Sequence, residues 1–183
     1  MTQQQQTISP VRVSVSVGLD QQRCFEVFTD EMISWWPAGH HIGETPLKEI
    51  IIEPFVGGRW YARHEGGEET DTGVVTAWDA PRGFTVTWQV GADWAYHADL
   101  VTHLDVSFTP TEDGRTLVEL VHRDLEAYGA DAAEMQKTFE GPDAWGGMLR
   151  IYKDVAERAN SEATSTRPAS MSPGRWCSAS SRG

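Results

Sequence analysis

Cysteine is scarce in this sequence, which has only Cys24 and Cys177 among its 183 residues. Two thiols so far apart in the chain indicate neither a disulfide framework nor a metal site built on paired thiolates. The six histidines do not replace them, because no two have the i,i+4 helical spacing of a zinc motif. We therefore expect no disulfide framework and no bound metal.

Basic residues are few as well. The chain has 15 lysines and arginines against 27 acidic residues, a formal net charge of −12. An acidic surface repels phosphate groups, so nucleic acids and membrane surfaces are excluded as expected partners. No apolar run approaches the ~20 residues of a membrane-spanning helix, and the first residues lack the pattern of a signal peptide. These features predict a cytoplasmic protein.

Motifs for known chemistry are missing too. The sequence contains no Gly-x-Ser-x-Gly elbow, phosphate loop or dinucleotide fingerprint. The pair Gly57-Gly58 lies between two predicted strands rather than before a helix, so a phosphate-binding role is excluded. No pair of carboxylates is placed for proton transfer. We accordingly expect no cofactor, and the motifs alone assign no catalytic residue.

What the sequence does contain is repeated alternation of apolar and polar residues. The pattern is clear in residues 11–17, 84–90, 104–108 and 118–122, and β-rich runs cover 48–56, 59–65 and 71–79. Gly57-Gly58 permits a tight reversal between the second and third of these seven strands. The pattern predicts an antiparallel sheet with one face covered and one face in solvent.

Helical signals stand on either side of the six later strands. Asp20 is a capping residue for a helix over 21–28, and a further helical turn over 31–36 stops at Pro37. The period changes again over 131–159, where we predict a long amphipathic helix from about residue 143. The prediction is an α+β domain over 10–160, monomeric or homodimeric, with a disordered arm at 1–9 and a disordered low-complexity tail at 161–183.

Several segments together resemble one family. They are residues 25–37 with Trp-Trp-Pro, Ile52-Glu53-Pro54 before Gly57-Gly58-Arg59-Trp60, Trp78-Asp79-Ala80-Pro81, and 118–123. Over residues 10–158 the chain resembles the SRPBCC superfamily of START/Bet v 1-like, helix-grip proteins. Within it, the chain is most similar to bacterial homologues of the activator of heat-shock-protein-90 ATPase. The resemblance implies a curved seven-stranded antiparallel sheet wrapped around a long C-terminal helix, with a cavity between them.

Members of that superfamily bind lipids, hormones or polyketides in this cavity, and some catalyse cyclisation or dehydration. In this sequence the aromatic and apolar residues on the inward faces are the expected ligand-binding set. They are Trp36, Trp60, Trp88, Val106, Phe108, Leu120, His122, Trp145, Leu149 and Tyr152. Large rings either fill such a space or line it, and the sequence leaves both possibilities open. We predict that a small hydrophobic or aromatic molecule binds there.

His122 is the one candidate for catalysis, because alternation places it on the covered face beside Val118 and Leu120. A buried imidazole must be hydrogen-bonded or it costs ~1–3 kcal/mol. It is therefore either a satisfied core histidine or a contact to the ligand. An alternative function follows from the second possibility: a cofactor-independent cyclase or dehydratase in which His122 works with Tyr61, His103 or a carboxylate.

Binding without catalysis is the favoured hypothesis, since strand parity supplies no second inward polar group beside His122. A weaker alternative, a chaperone-interacting domain, rests on the resemblance alone. The eukaryotic co-chaperone carries an additional N-terminal domain that engages the chaperone, and we expect no counterpart here.

Overall fold

The computed structural model describes residues 8–165 and the side chains of residues 8–159. Within this range no helix has both the length and the apolar character needed to cross a membrane. Seven strands and three helices follow in the order β1 (Val11–Val17), α1 (Gln21–Thr29), β2 (Leu47–Ile52), β3 (Arg59–His64), β4 (Glu69–Asp79), β5 (Gly83–Trp88), β6 (Thr102–Pro110), β7 (Thr116–Arg123), α2 (Ala132–Glu140) and α3 (Trp145–Ser165).

The strands form one antiparallel sheet in the order β1-β7-β6-β5-β4-β3-β2. Strands β2 to β7 meander, and β1 closes the sheet by pairing with β7, for example Val13 with Leu120. On β7 the residues Thr116, Val118, Leu120 and His122 are buried while their neighbours are not. The predicted alternation is therefore correct, and the predicted helix-grip α+β fold is confirmed.

Helix α3 lies across the inner face of this curved sheet. Its buried side recurs every three or four residues and consists of Trp145, Met148, Leu149, Tyr152 and Ala156. The helix continues to Ser165, past the predicted domain boundary at residue 160. Most of the predicted arm and the rest of the predicted tail lie outside the described residues.

Between β7 and α3 the structure adds elements that the sequence did not separate. A 3₁₀ segment, Leu125–Asp131, leads into helix α2, whose Met135 and Phe139 are buried. At the other predicted helical turn, only Met32–Ser34 form a short 3₁₀ helix. Strand β5 also ends earlier than predicted, at Trp88, and Val90 makes only an isolated bridge with Tyr96.

Candidate functional site

A cavity of about 360 Å³ opens where helices α2 and α3 face strands β2 to β5. We call it the main cavity. Its sheet side is formed by Ile50, Ala62 and Thr72, and the loop 36–42 and Trp94 surround its entrance. Its helix side is formed by Phe139, Trp145 and Met148. The space is mostly apolar, with aromatic rings on three sides.

The aromatic walls hold one another in fixed orientations. The rings of Trp88 and Trp145 meet edge to face, with centroids 5.2 Å apart and planes at 80°. Trp36 meets Trp145 at 6.3 Å and 67°, and Phe139 stacks on Trp145 at 6.2 Å and 22°. Edge-to-face and stacked contacts of this kind add to the stability given by burial. The aromatic walls therefore support one another through direct ring contacts.

Few polar side chains line the main cavity: His40 and His41 of the loop 36–42, and Thr70, Thr72 and Thr138. The indole N–H of Trp36 donates to the carbonyl of His40 at 2.6 Å, which ties the wall to the entrance loop. Trp94 is 51% exposed and has φ of 58°, an unusual backbone conformation for a large residue. Among the residues that the structure describes, His40 and His41 are the only titratable side chains in the lining, and no Asp, Glu, Lys or Arg lines the space.

Two buried nitrogens in the wall, His41 Nδ1 and Trp88 Nε1, have no hydrogen-bond partner within the described part of the chain. Beside Trp88, the hydroxyl of Tyr128 donates to the carbonyl of Val90 at 2.7 Å. Burial raises the pKa of Tyr128 to about 12, and the neighbouring Trp88 and Thr102 side chains partly offset this. Tyr128 therefore stays protonated and supports the chain at the end of β5.

His122 lies directly behind the wall and does not line the main cavity. The indole N–H of Trp145 donates to its Nδ1 at 3.1 Å. Its Nε2 lies 2.8 Å from the hydroxyl of Thr102, which itself donates to the carbonyl of Trp88 at 2.8 Å. Because Thr102 uses its proton on that carbonyl, it accepts from Nε2–H. Burial lowers the pKa of His122 to about 3, so the ring is neutral.

The predicted site residues fall into three groups. Trp36, Trp88 and Trp145 line the main cavity. Trp60, Val106 and Leu120 instead line a narrow cleft of about 10 Å³ beyond Trp36 and Trp145. The remaining four, Phe108, His122, Leu149 and Tyr152, line neither space.

Helix α1 explains why Phe108 and Tyr152 of the predicted set lie in the packed core rather than beside open space. Phe25 and Phe28 of α1 fill this end of the inner face, with ring centroids 5.2 and 5.6 Å from Phe108. Tyr152 packs against Phe28 at 5.1 Å, and its hydroxyl donates to the carbonyl of Cys24 at 2.7 Å. Phe108 and Tyr152 therefore pack against α1, and Leu149 is buried without lining either space.

The proposed proton-transfer partners of His122 also lie elsewhere. Tyr61 is on the outer face of the sheet, where the guanidinium of Arg59 covers its ring at 3.9 Å. His103 is on that face too, and its Nδ1 lies 2.7 Å from a carboxylate oxygen of Asp124. Neither reaches His122, whose two nitrogens are already bonded. Among the described residues, no group of three or more His, Cys, Asp or Glu is placed to hold a metal ion.

Sequence reasoning missed several lining residues, among them His41, Trp94, Phe139 and Met148. Phe139 had a usable signal, because Ala132, Met135 and Phe139 recur at helical spacing before the Gly141-Pro142 break. The entrance loop had none. A loop carries no periodicity, so its contact with the cavity depends on the tertiary fold.

Comparison with known proteins agrees with this geometry. The family model described as "Activator of Hsp90 ATPase homolog 1-like protein" matches residues 19–151. No curated protein matches the chain. Among solved structures, the anthrahydroquino-γ-pyrone synthase Txn09 is 34% identical, with a TM-score of 0.58 over 81% of this chain and 97% of that one.

Two further structures have the same fold. CalC of Micromonospora echinospora, described as a self-sacrificing resistance protein, is 25% identical with a TM-score of 0.63, over 82% of this chain and 96% of that one. Protein MLL2253 of Mesorhizobium loti is 16% identical with a TM-score of 0.59, over 81% and 97%. The family match covers most of the chain, and the chain belongs to the activator of Hsp90 ATPase homolog 1-like family.

Proposed function

We propose that this protein binds a flat, uncharged, polycyclic aromatic molecule in the main cavity. The observation that carries the proposal is a space of about 360 Å³ that is lined by four indoles and, within the described part of the chain, by no Asp, Glu, Lys or Arg. Its volume lies within the ~300–1,000 Å³ typical of small-molecule sites. Apolar walls with few polar groups are also typical of such sites.

The orientation of the rings favours a flat ligand. Trp88 and Trp145, which both line the space, stand at 80° to each other, so a flat ligand parallel to one ring meets the other edge to face. Aromatic ligands contact both surfaces favourably, at ~0.5–1.5 kcal/mol per ring pair beyond the area that they bury. A fused ring system makes several such contacts at once without losing rotatable bonds.

The lining also favours a ligand without charge. An ionised carboxylate that enters loses its hydration and finds no arginine or lysine there, so it pays a desolvation cost of several kcal/mol. The net charge of −12 adds repulsion as the anion approaches. Fatty acids and other carboxylates are therefore poor ligands, and neutral ring systems are favoured.

The 34% identical synthase supports the choice of ring chemistry, since its name describes a product with a fused anthracene core. It also favours a second candidate function, the cyclisation of a bound aromatic precursor. In that case His41 replaces His122 as the candidate acid or base, because it lines the main cavity and its Nδ1 has no partner among the described residues.

A titration with two matched probes tests the binding proposal. We expect 2-(hydroxymethyl)anthraquinone to quench tryptophan fluorescence saturably at one site per chain. Anthraquinone-2-carboxylate should bind at least ~10-fold more weakly, because of the desolvation cost. Trp36→Leu should lower the affinity for the neutral probe by ~3- to 10-fold, which corresponds to the free energy of one aromatic contact. Trp78→Leu is the control, since Trp78 is half-buried but lines neither cavity.

Equal affinities of the two probes would overturn the argument from charge, and absence of saturable quenching would overturn binding itself. The cyclase candidate has a separate test. If His41 transfers a proton, His41→Gln should abolish turnover of a cyclisable precursor while the neutral probe binds as before. Turnover unchanged in His41→Gln would exclude His41 from that role.

A further inference from the structure

His122 connects two walls of the main cavity without touching the space itself. Its ring centroid lies 4.4 Å from that of Phe139, 5.9 Å from Trp145 and 6.0 Å from Trp88, and all three line the cavity. The imidazole is fully buried. It therefore stands behind the wall at the point where α2, α3 and the sheet meet.

The hydrogen bonds through His122 run in one direction. Trp145 Nε1–H donates to Nδ1, Nε2–H donates to the Thr102 hydroxyl, and that hydroxyl donates to the carbonyl of Trp88. An indole nitrogen only donates and a carbonyl only accepts, so both ends of the chain of bonds are fixed. Only the neutral imidazole with its proton on Nε2 satisfies every group. The chain of bonds thus joins α3 to the end of β5.

We propose that His122, acting through Thr102, is the positioning residue of the main cavity, because it fixes the Trp145 indole relative to the Trp88 main chain. The affinity for a flat ligand then depends on the hydrogen bonds that His122 makes. The proposal rests on the proposed function for the identity of the site. It gives His122 a role distinct from the acid or base considered from the sequence, because its ring never meets the ligand.

Glutamine and leucine separate hydrogen bonding from bulk at this position. In His122→Gln the amide oxygen accepts from the Trp145 indole and the amide nitrogen donates to Thr102, which reproduces the native pattern. In His122→Leu the volume is largely kept but both bonds are lost. We expect H122Q to bind 2-(hydroxymethyl)anthraquinone within ~2-fold of the native protein and H122L to bind it ~5-fold or more weakly.

Two buried threonines provide a matched pair for the next link. Thr102 and Thr116 are both fully buried, and each donates its hydroxyl proton to a main-chain carbonyl at 2.8 Å, of Trp88 and of Leu19 respectively. Only the bond of Thr102 belongs to the chain behind the wall. Thr102→Val should weaken binding of the probe several-fold. Thr116→Val should lower the melting temperature about as much as Thr102→Val does, but leave the affinity for the probe unchanged. This pair keeps the test valid if H122L fails to fold.

A measurement without ligand separates this inference from the proposed function. Trp88 and Trp145 lie close enough for their transitions to couple, so their fixed geometry contributes to the near-ultraviolet circular dichroism. The signal should be kept in H122Q and Thr116→Val and lost in Thr102→Val. If Thr102→Val and Thr116→Val give the same spectrum and the same probe affinity, the positioning role is wrong. If no variant binds the probe but the spectra differ as stated, the positioning role stands and the proposed function fails.

Discussion

At the scale of single residues, the buried imidazole of His122 makes stability depend on pH. Its pKa falls from 6.5 to about 3 in the folded protein, so between these values the unfolded chain binds a proton that the folded chain does not. The contribution of His122 to stability is therefore greatest above pH 6.5 and falls as pH decreases towards 3, by up to ~1.4 kcal/mol per pH unit.

His122→Gln removes this proton while keeping the hydrogen bonds. We expect its free energy of unfolding in urea to fall less steeply than that of the native protein as the pH is lowered from 7.5 to 4.5. The difference between the two slopes should correspond to the uptake of close to one proton. All other titrating groups are shared, so they cancel in the difference. Parallel curves for the two proteins would contradict a buried neutral imidazole.

Tyr152 provides the opposite case, a residue that stabilises the fold without contacting the main cavity. It is fully buried, burial raises its pKa, and its hydroxyl donates to the carbonyl of Cys24. Tyr152→Phe should lower the free energy of unfolding by ~1 kcal/mol and leave the affinity for the neutral anthraquinone unchanged. Trp36→Leu should show the reverse pattern. A Tyr152→Phe variant that loses affinity as strongly as Trp36→Leu would place the ligand against α1.

The residue scale also shows where sequence reasoning stops. Alternation placed Trp88, Leu120 and His122 correctly on the inner face, because strand parity is a local property. It did not tell which inner residues face open space. That depends on how deeply α1 and α3 fill the curved sheet, so Phe108 and Tyr152 are core while Trp36 and Trp88 line the cavity.

At the scale of elements, one glycine sets how closely β4 approaches β5. Gly73 pairs with Trp60 next to an irregularity in the β3–β4 register, and a Cβ there would overlap the carbonyl oxygen of Thr87 on β5. The main chain must move to accept any side chain. Gly73→Ala should therefore lower the free energy of unfolding by ~1–3 kcal/mol.

Gly39 is the control for this substitution, since a Cβ at this position meets nothing within 4 Å. Gly39→Ala should change stability by no more than ~0.5 kcal/mol in the same urea titration. A Gly73→Ala protein as stable as Gly39→Ala would show that β4 and β5 separate without cost.

Strands were easier to predict than the helices between β7 and α3. Each strand has its own two-residue period or β-rich run, bounded by turn residues, so all seven could be read locally. Helix α2 is short, and its buried residues are Ala132, Met135 and Phe139. In the sequence these residues fall within one helical period over 131–159, so α2 was not separated from the long helix. This omission from the prediction affected the candidate site, because α2 contributes Phe139 to the cavity wall.

At the scale of the whole molecule, residues 166–183 are expected to contribute little to stability. Their sequence has a single tryptophan and no apolar period, and the predicted boundary at 160 moves because α3 continues to Ser165. Truncation after Ser165 should shift the melting temperature by no more than ~1–2 °C and leave probe affinity unchanged. A drop of several degrees would mean that this segment packs on the domain.

The architecture was predictable as a whole because its parts agree: one strand, two short helices, six strands and a long helix leave few ways to cover a seven-stranded sheet. The ligand was not, since its chemistry is decided by a cavity whose lining comes from six strands and helices and the loops between them. Only the assembled structure shows that no Asp, Glu, Lys or Arg of residues 8–159 lines that space.

The claim that a neutral polycyclic molecule occupies the main cavity is tested most directly by the tryptophan indole N–H signals in a two-dimensional nitrogen–proton NMR spectrum. Four of the eight tryptophans, Trp36, Trp88, Trp94 and Trp145, line that space, and Trp78 lies outside it. Adding 2-(hydroxymethyl)anthraquinone should shift these four signals saturably at one equivalent and leave that of Trp78 in place. Unchanged signals from the four, or shifts centred on Trp78, would contradict the account.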